Sequence, residues 1–510
     1  MPALTDYINS FNGYLWYGVT ALLIGSGLLY CARTLFVQIR YIPEMFRAVV
    51  EKPSEIEAGT KGISSFKAFT ISAASRVGTG NVAGVAIAIS VGGPGAIFWM
   101  WMMAMIGGAT AFVESTLAQV YKVRDKSSYR GGPAYYIDRA LGWKWLSTLF
   151  AIMISVTYGF VFNAVQTNSI VAAVETSAGI DSMVVKIGIG LCIAALTASI
   201  IFGGVQRIAN VTQAIVPIMA VLYLILAIIV IAMNISQVPV VFSSIISHAF
   251  GLREFTGATI GTVMMQGVRR GLFSNEAGMG SAPNAAATAS VSHPVKQGLI
   301  QTLGVYFDTW VVCSATAFII LLANPDLHAG KEGIALTQSA LSSSVGGWAI
   351  HFLTLIILFL AFSSVIGNYY YGESNIGYIT KNSLKALNAY RTMVVLFVFG
   401  GAIGSIPLVW ALADVFSGLL ASINIIGIFP LAGVAVMLLK HFNVQRAAGL
   451  NPVLRREDLP RNIKAWDQMQ TWDKDDSILE RTEQYEGLDY GWKTADDSAA
   501  EASAAANPKA

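Results

Sequence analysis

Charge is scarce in this chain. Only 12% of its 510 residues are Asp, Glu, Lys or Arg, against 55% hydrophobic residues. Soluble domains carry about 25% charged residues, so the composition excludes an ordinary soluble protein and points to a polytopic membrane protein. Cysteine is scarce too. Cys31, Cys192 and Cys313 lie in separate apolar stretches, with neither a disulfide framework nor metal-ligand spacing. The five histidines, His248, His293, His328, His351 and His441, are scattered and form no metal set. No phosphate loop ending in Gly-Lys-Ser/Thr, no hydrolase triad and no cofactor motif occurs. Neither an enzyme nor a resident cofactor is therefore expected. The opening residues, MPALTDYINSFNGY, lack a basic stretch ahead of their apolar run, so a cleaved signal peptide is not expected.

The formal charge of +3 hides a split. Residues 451–510 hold 13 of the 30 acids and 8 of the 33 bases, leaving the remainder with an excess of eight bases. That excess sits in short loops between apolar runs, where the positive-inside rule operates. The partner it implies is a lipid bilayer, not a nucleic acid.

A membrane-spanning helix needs about 20 apolar residues. Such runs occur at 15–37, 66–90, 95–121, 145–174, 183–203, 211–233, 257–290, 297–323, 346–372, 390–406 and 413–439. Pro407, Asn424 and Pro430 blur the last two. Lys and Arg cluster after the first, third and ninth runs, which places those loops in the cytoplasm and the N-terminus outside. Eleven crossings then put Lys440, Arg446, Arg455 and Arg456 inside, in keeping with the same rule. A twelfth would put them outside. The expected fold class is all-α: a polytopic membrane protein of about eleven transmembrane helices, in a cell (inner) membrane.

One pattern occurs twice. Arg76-Val-Gly-Thr-Gly-Asn-Val-Ala-Gly84 and Arg270-Gly-Leu-Phe-Ser-Asn-Glu-Ala-Gly278 both read R-x-x-x-x-N-x-A-G, 194 residues apart. Each interrupts a long apolar run. Paired Gly-interrupted segments in two halves of a chain point to a transporter's binding site. The two runs are the second and the seventh, so they cross in opposite directions. The chain divides accordingly. Residues 1–65 form an extra first crossing and a basic cytoplasmic loop, and 66–233 a first five-helix repeat. Residues 234–256 form an extracellular linker, 257–442 a second, inverted repeat, and 443–510 a charged cytoplasmic tail, of which 451–510 is expected to be disordered or loosely docked. Loops 122–144 and 234–256 are long enough for amphipathic surface helices.

A helix unwound in mid-membrane frees backbone groups that lipid cannot satisfy. Half-helix N-termini then attract an anion such as an amino-acid carboxylate, and exposed carbonyls suit a cation. Gly78 and Gly80 permit the first break, and Asn81 adds an oxygen ligand. In the second, Phe273 can cap a small apolar group, Ser274 and Asn275 offer polar contacts, and Gly278 and Gly280 allow close approach. The backbone-dominated site suits a small zwitterion.

These residues resemble the alanine or glycine:cation symporter family. The likeness covers most of 10–445 and rests on Gly78-Thr-Gly-Asn-Val-Ala-Gly-Val-Ala86, Gly92-Gly-Pro-Gly-Ala-Ile-Phe-Trp-Met-Trp101, Gly131-Gly-Pro-Ala-Tyr-Tyr136 and Arg270-Gly-Leu-Phe-Ser-Asn-Glu-Ala-Gly-Met-Gly-Ser-Ala-Pro283. The resemblance implies Na⁺- or H⁺-coupled import of alanine or glycine on a leucine-transporter-type fold. It makes Gly78, Asn81, Asp308, Ser363 and Ser364 the candidate sodium ligands. Thr79, Gly80, Asn81, Gln166, Phe273, Ser274, Asn275 and Gly278 are the candidate substrate contacts, with Tyr158 a weaker alternative to Gln166.

Acids and bases inside apolar runs cost about 2.5–3.5 kcal/mol each at the bilayer centre, so they should pair or face water. Arg76 and Arg270 are candidate gating or structural ion-pair residues, with Glu276 or Glu114 as partner. Asp308 could instead carry a proton. Substrate identity beyond a small neutral amino acid stays open, including glutamine, as does oligomeric state. A channel or a membrane sensor are the non-transporter alternatives.

Overall fold

The computed structural model describes residues 2–52, 55–57, 60–125, 128–251, 259–323, 330–473, 483–485 and 488–495. His328 lies outside them, as do 252–256 of the expected linker and 257–258 at the start of the expected second repeat. Among the described residues, nine helical segments are long and apolar enough to cross a membrane. They are α1 (Pro2–Arg33), α3 (Gly95–Val120), α4 (Lys144–Ala178), α5 (Met183–Ile201), α6 (Gly204–Met233), α8 (Pro294–Leu322), α9 (Trp348–Thr380), α10 (Leu384–Ile403) and α11 (Ile406–Ala447). The two expected crossings outside this set are the two marked by the repeated motif. Helix α2 runs Ser65–Arg76, breaks, and resumes as Gly80–Gly92. Helix α7 runs Ile260–Asn275, breaks, and resumes as Ala282–Ala286. Neither is long enough unbroken.

Local chemistry explains both breaks. In α2 the helix ends at Val77, whose ψ of 86° leaves the helical region. The Asn81 side chain then accepts from the Gly78 N–H at 2.9 Å, substituting for a lost backbone partner. In α7, Glu276, Gly278 and Gly280 take φ of 59°, 94° and 74°. Two of these left-handed positions are glycine, the residue that adopts them without a Cβ penalty. The Asn275 Oδ1 accepts from Ala277 N at 3.0 Å inside the same break.

Apolar side chains face outward as well as filling the core, and polar groups are buried among the helices. On α6, Ile218, Val221, Ile225 and Ile228 are exposed while Tyr223, Leu226 and Val230 are buried. Buried positions elsewhere include Thr79, Asn81, Glu114, Gln166 and Asp308. That is the distribution expected where the outer solvent is hydrocarbon and polar groups must face the bundle interior.

Two expectations need correction, and the surface helices expected in loops 122–144 and 234–256 are present. The last crossing does not start at 413. It begins at Ile406, with Pro407 in its first turn, where the missing N–H costs nothing. Pro430 sits in a short 3₁₀ turn, Phe429–Leu431, within a longer segment ending at Ala447. The loop after α3 contains a hairpin, Val123–Asp125 with Ser128–Arg130, ahead of the helix Pro133–Leu141. The linker after α6 does carry a helix, Val238–Ala249.

The tail is the second. Its described part is docked, not loose. Leu454, Leu459, Ile463, Met469 and Trp472 are buried. Leu454 N donates to Ser292 O at 2.9 Å, Tyr121 Oη to Lys464 O at 2.7 Å, and Trp472 Nε1 to Gln119 O at 3.1 Å. Tyr490 stacks on His441 at 4.4 Å. A few spaced apolar residues anchor a segment whose average composition is polar.

Candidate functional site

The two breaks meet. A Cβ on Gly80 would lie 3.0 Å from the Phe273 ring and 3.3 Å from Ser274 Cα, so the absent side chain at Gly80 lets α2 approach α7. Asp308, in a π-helical turn of α8 at Phe307–Cys313, joins them. Its Oδ1 accepts from Asn81 Nδ2 at 2.6 Å, and its Oδ2 accepts from Ser274 Oγ at 2.8 Å and Thr309 Oγ1 at 3.0 Å. Cys313 is part of this cluster, 3.3 Å from Asn81 Nδ2 and 3.1 Å from Ser274 Oγ. Asn81, Ser274 and Asp308 are fully buried. Two more π-helical turns border the site, Gly80–Gly84 and Thr157–Phe162. Such turns cluster at functional positions because they re-aim side chains and free backbone groups.

On the other side of the first break, Gln166 of α4 accepts the Thr79 N–H on its Oε1 at 3.2 Å. The Thr79 hydroxyl, at the first break, is buried without a hydrogen-bond partner. Ser364 of α9 donates to the Ala74 carbonyl at 2.7 Å, where α2 is about to unwind. Gly78 is wedged between Ser364 Oγ and Gln166 Oε1.

Phe273 closes the assembly. Its ring packs on Phe162 at 4.7 Å and Trp410 at 4.9 Å. Trp410 also lines a cavity of about 400 Å³ together with Ala83, Asn168, Glu175 and Glu332. Behind it, Arg270 Nη2 reaches both carboxylate oxygens of Asp414 at 2.5 Å, and its guanidinium lies over the Trp410 ring at 5.2 Å.

A fully buried polar cluster thus joins two broken helices to a third. A match to a family model spans residues 1–456, for the Sodium:alanine symporter family. The chain belongs to that family. Among curated relatives, the symporter is 50% identical to the amino-acid carrier protein AlsT of Bacillus subtilis (strain 168), over 90% of this chain and 97% of that protein. It is 48% identical to the probable sodium/glutamine symporter GlnT of the same organism, over 91% of this chain and 96% of that one. In structure it resembles MhsT in complex with L-phenylalanine, with a TM-score of 0.53 at 11% identity over 84% of this chain and 97% of that one. That likeness concerns the fold: a polytopic all-α transporter. The family and these relatives make the protein a multi-pass amino-acid symporter.

Most of the residues singled out in the symporter's sequence are brought together, and some are not. Gly78, Thr79, Gly80, Asn81, Gln166, Phe273, Ser274, Asp308 and Ser364 form the connected set above. Ser363 is buried, but its hydroxyl donates to Leu360 O of its own helix at 2.8 Å. Asn275 is committed to Ala277 N and, through Nδ2, to Thr309 Oγ1 at 3.1 Å. Gly278 faces Leu23, Thr110 and Ile425, and its N–H donates to Glu114 at 3.2 Å. Tyr158 packs against Phe162 and Tyr371.

The expected ion pairs are corrected. Arg270 pairs with Asp414, not with Glu276 or Glu114. Arg76 donates to the Gln301 carbonyl at 3.3 Å, and its Nε and Nη2 have no partner. Glu114 accepts from Gly278 N, Gly280 N and Asn424 Nδ2, serving as a cap for the backbone of the α7 break. Glu276 meets Ser75 and Ser281, each at 2.7 Å. The missed residues, Asp414, Asn424 and Thr309, come from other helices, and no sequence spacing announces which helices will be neighbours. Asp414 is an acid inside an apolar run and carried the same signal as Glu114.

Proposed function

We propose that this symporter imports a small neutral amino acid, alanine or glycine, together with Na⁺ by alternating access at the cell's inner membrane, with its N-terminus outside and its C-terminus in the cytoplasm. The observation that carries this reading is Asp308, whose carboxylate ties Asn81 of one break to Ser274 of the other. A hard monovalent cation favours carboxylate, amide and hydroxyl oxygens. Asp308, Asn81 and the carbonyls freed near Gly78 supply one such set, and Ser364 with the Ala74 carbonyl near the end of the first half of α2 supplies a second. The substrate lies between Thr79, Gly80 and Gln166 on one side and Phe273 and Ser274 on the other. The unpartnered Thr79 hydroxyl suits a carboxylate oxygen. Phe273 packs between Phe162 and Trp410 and close against Gly80, a crowded setting that favours a small cargo such as alanine or glycine. Alternating access then parts Phe273 and the Arg270–Asp414 pair on the cavity side.

The relationship to GlnT at 48% identity favours a second reading, in which glutamine is the cargo. Uptake of radiolabelled alanine into proteoliposomes, with Na⁺ or choline at fixed pH and a panel of competing amino acids, decides between them. Na⁺-dependent uptake competed by glycine supports the first reading. Uptake indifferent to Na⁺ removes sodium coupling, and competition by glutamine without entry of alanine removes the small-substrate assignment.

A further inference from the structure

Helices α1 and α11 touch at both ends and part in between. At one end, Asn12 Nδ2 donates to Ala411 O at 2.9 Å and Trp16 Nε1 to Asp414 O at 3.1 Å. At the other, a Cβ on Gly433 would lie 3.5 Å from Arg33 Nη2. Between these contacts α11 is interrupted by the turn Phe429–Leu431, and a cavity of about 540 Å³ opens. Its walls include Leu22, Gly25, Leu29, Trp143, Ile425 and Phe429, and no charged residue lines it. Its one hydroxyl, on Ser26, is spent on the Leu22 carbonyl at 2.6 Å.

Two glycines of α1 separate this space from ordinary helix packing. A Cβ on Gly27 would sit 3.4 Å from the Ile106 carbonyl of α3, whereas a Cβ on Gly25 meets no atom within 4 Å. Leu29, Ile426 and Phe429 are exposed along the same groove, so it opens on the hydrocarbon side. The groove is as large as typical ligand pockets, about 300–1,000 Å³, and water inside it would lack the polar partners that ordered water needs. The end of the groove narrows the choice of apolar ligand. Arg33 lies one helical turn beyond Leu29 and shares its face of α1. It is exposed and enters none of the ion pairs among the described residues. Trp143 offers the amphipathic ring found at the membrane interface.

We propose that the groove between α1 and α11 holds an acyl chain of one anionic phospholipid, whose phosphate sits on Arg33. Basic positions between membrane helices bind such headgroups, and an apolar groove leading away from one takes the chain. A second copy of the protein would have to bring both a protruding apolar side chain and an acid for Arg33. A phospholipid carries both in one molecule. The site is separate from the cargo and coupling ion proposed above. It adjoins them through Ile425, which lines the groove and would meet a Cβ on Gly278 of the α7 break at 3.8 Å.

Native mass spectrometry of the purified full-length protein tests this, because it counts bound lipids and subunits together. The probes are phosphatidylglycerol and phosphatidylcholine with matched acyl chains. Gly25→Leu fills the groove where α1 leaves open space, and Arg33→Gln removes the cation. The parent should retain one phosphatidylglycerol about five-fold better than phosphatidylcholine, the preference one cation near an anionic lipid supplies. Gly25→Leu should lose that lipid, and Arg33→Gln should hold both lipids equally. Equal retention of both lipids by the parent, unchanged retention in Gly25→Leu, or an unchanged preference in Arg33→Gln overturns the proposal. So does a parent dimer that Gly25→Leu dissolves, since the occupant is then a second copy. A further probe needs no change in α1. Glycerol 3-phosphate, a headgroup with no acyl chain, should not displace the lipid, and displacement by it at equal concentration would show that the groove contributes nothing.

Discussion

At the scale of single residues, the two copies of R-x-x-x-x-N-x-A-G do unequal work. Asn81 reaches across to Asp308, whereas Asn275 holds the shape of its own break. The motif showed where the helices would break, because Gly and Asn inside an apolar run have few other uses. It did not show that the Asn residues would differ, since that depends on which helix lies opposite. Gly78 is the tightest glycine of the site. A methyl group there meets Ser364 Oγ and sits 3.0 Å from Gln166 Oε1. Overpacking costs about 1–3 kcal/mol, so Gly78→Ala should weaken amino-acid and cation binding by roughly five- to a hundred-fold while the protein still folds. Equilibrium binding of labelled alanine at several Na⁺ concentrations checks this, and unchanged affinity would remove Gly78 from the site.

At the scale of elements, the broken helices are held by groups the sequence pattern could not pair. Glu114 caps the α7 break, and Arg270 bolts α7 to α11 through Asp414. Residues 144 positions apart on different helices carry no shared periodicity, so only the packing of α7 against α11 reveals the pair. Breaking one partner of a buried ion pair costs about 3–5 kcal/mol because the other charge is stranded. In Asp414→Asn, Arg270 loses its counter-charge and the closed arrangement of Phe273 and Trp410 loses its bolt. The expected outcome is faster thiol labelling of a cysteine placed at Thr79, measured in a Cys192→Ser background. Labelling at the parent rate would show that the pair does not hold the site closed.

At the scale of the whole molecule, eleven crossings and two breaks were legible from run length, loop charge and the repeat. The tail was not, because burial there depends on a few spaced side chains and averages hide them. Leu454, Leu459, Ile463 and Trp472 dock onto the ends of α3, α8 and α11. Burying a Leu, Ile or comparable side chain contributes about 1.5–3 kcal/mol. A chain ending at residue 450 should therefore melt at a lower temperature in detergent than the full-length protein, with Trp472→Ala showing part of the loss. Equal melting temperatures would mean that the tail rests on the bundle without stabilising it.

The central claim is that Asp308 joins the two breaks into one cation-dependent amino-acid site. Its most direct test is alanine binding to the purified protein with and without Na⁺, in the parent and in Asp308→Asn. Hydrogen bonds to a charged group are worth about 1.5–3 kcal/mol, so Na⁺ should tighten alanine binding in the parent, and Asp308→Asn should lose roughly ten- to a hundred-fold of that gain. Alanine binding by Asp308→Asn with the parent's full response to Na⁺ would contradict the account.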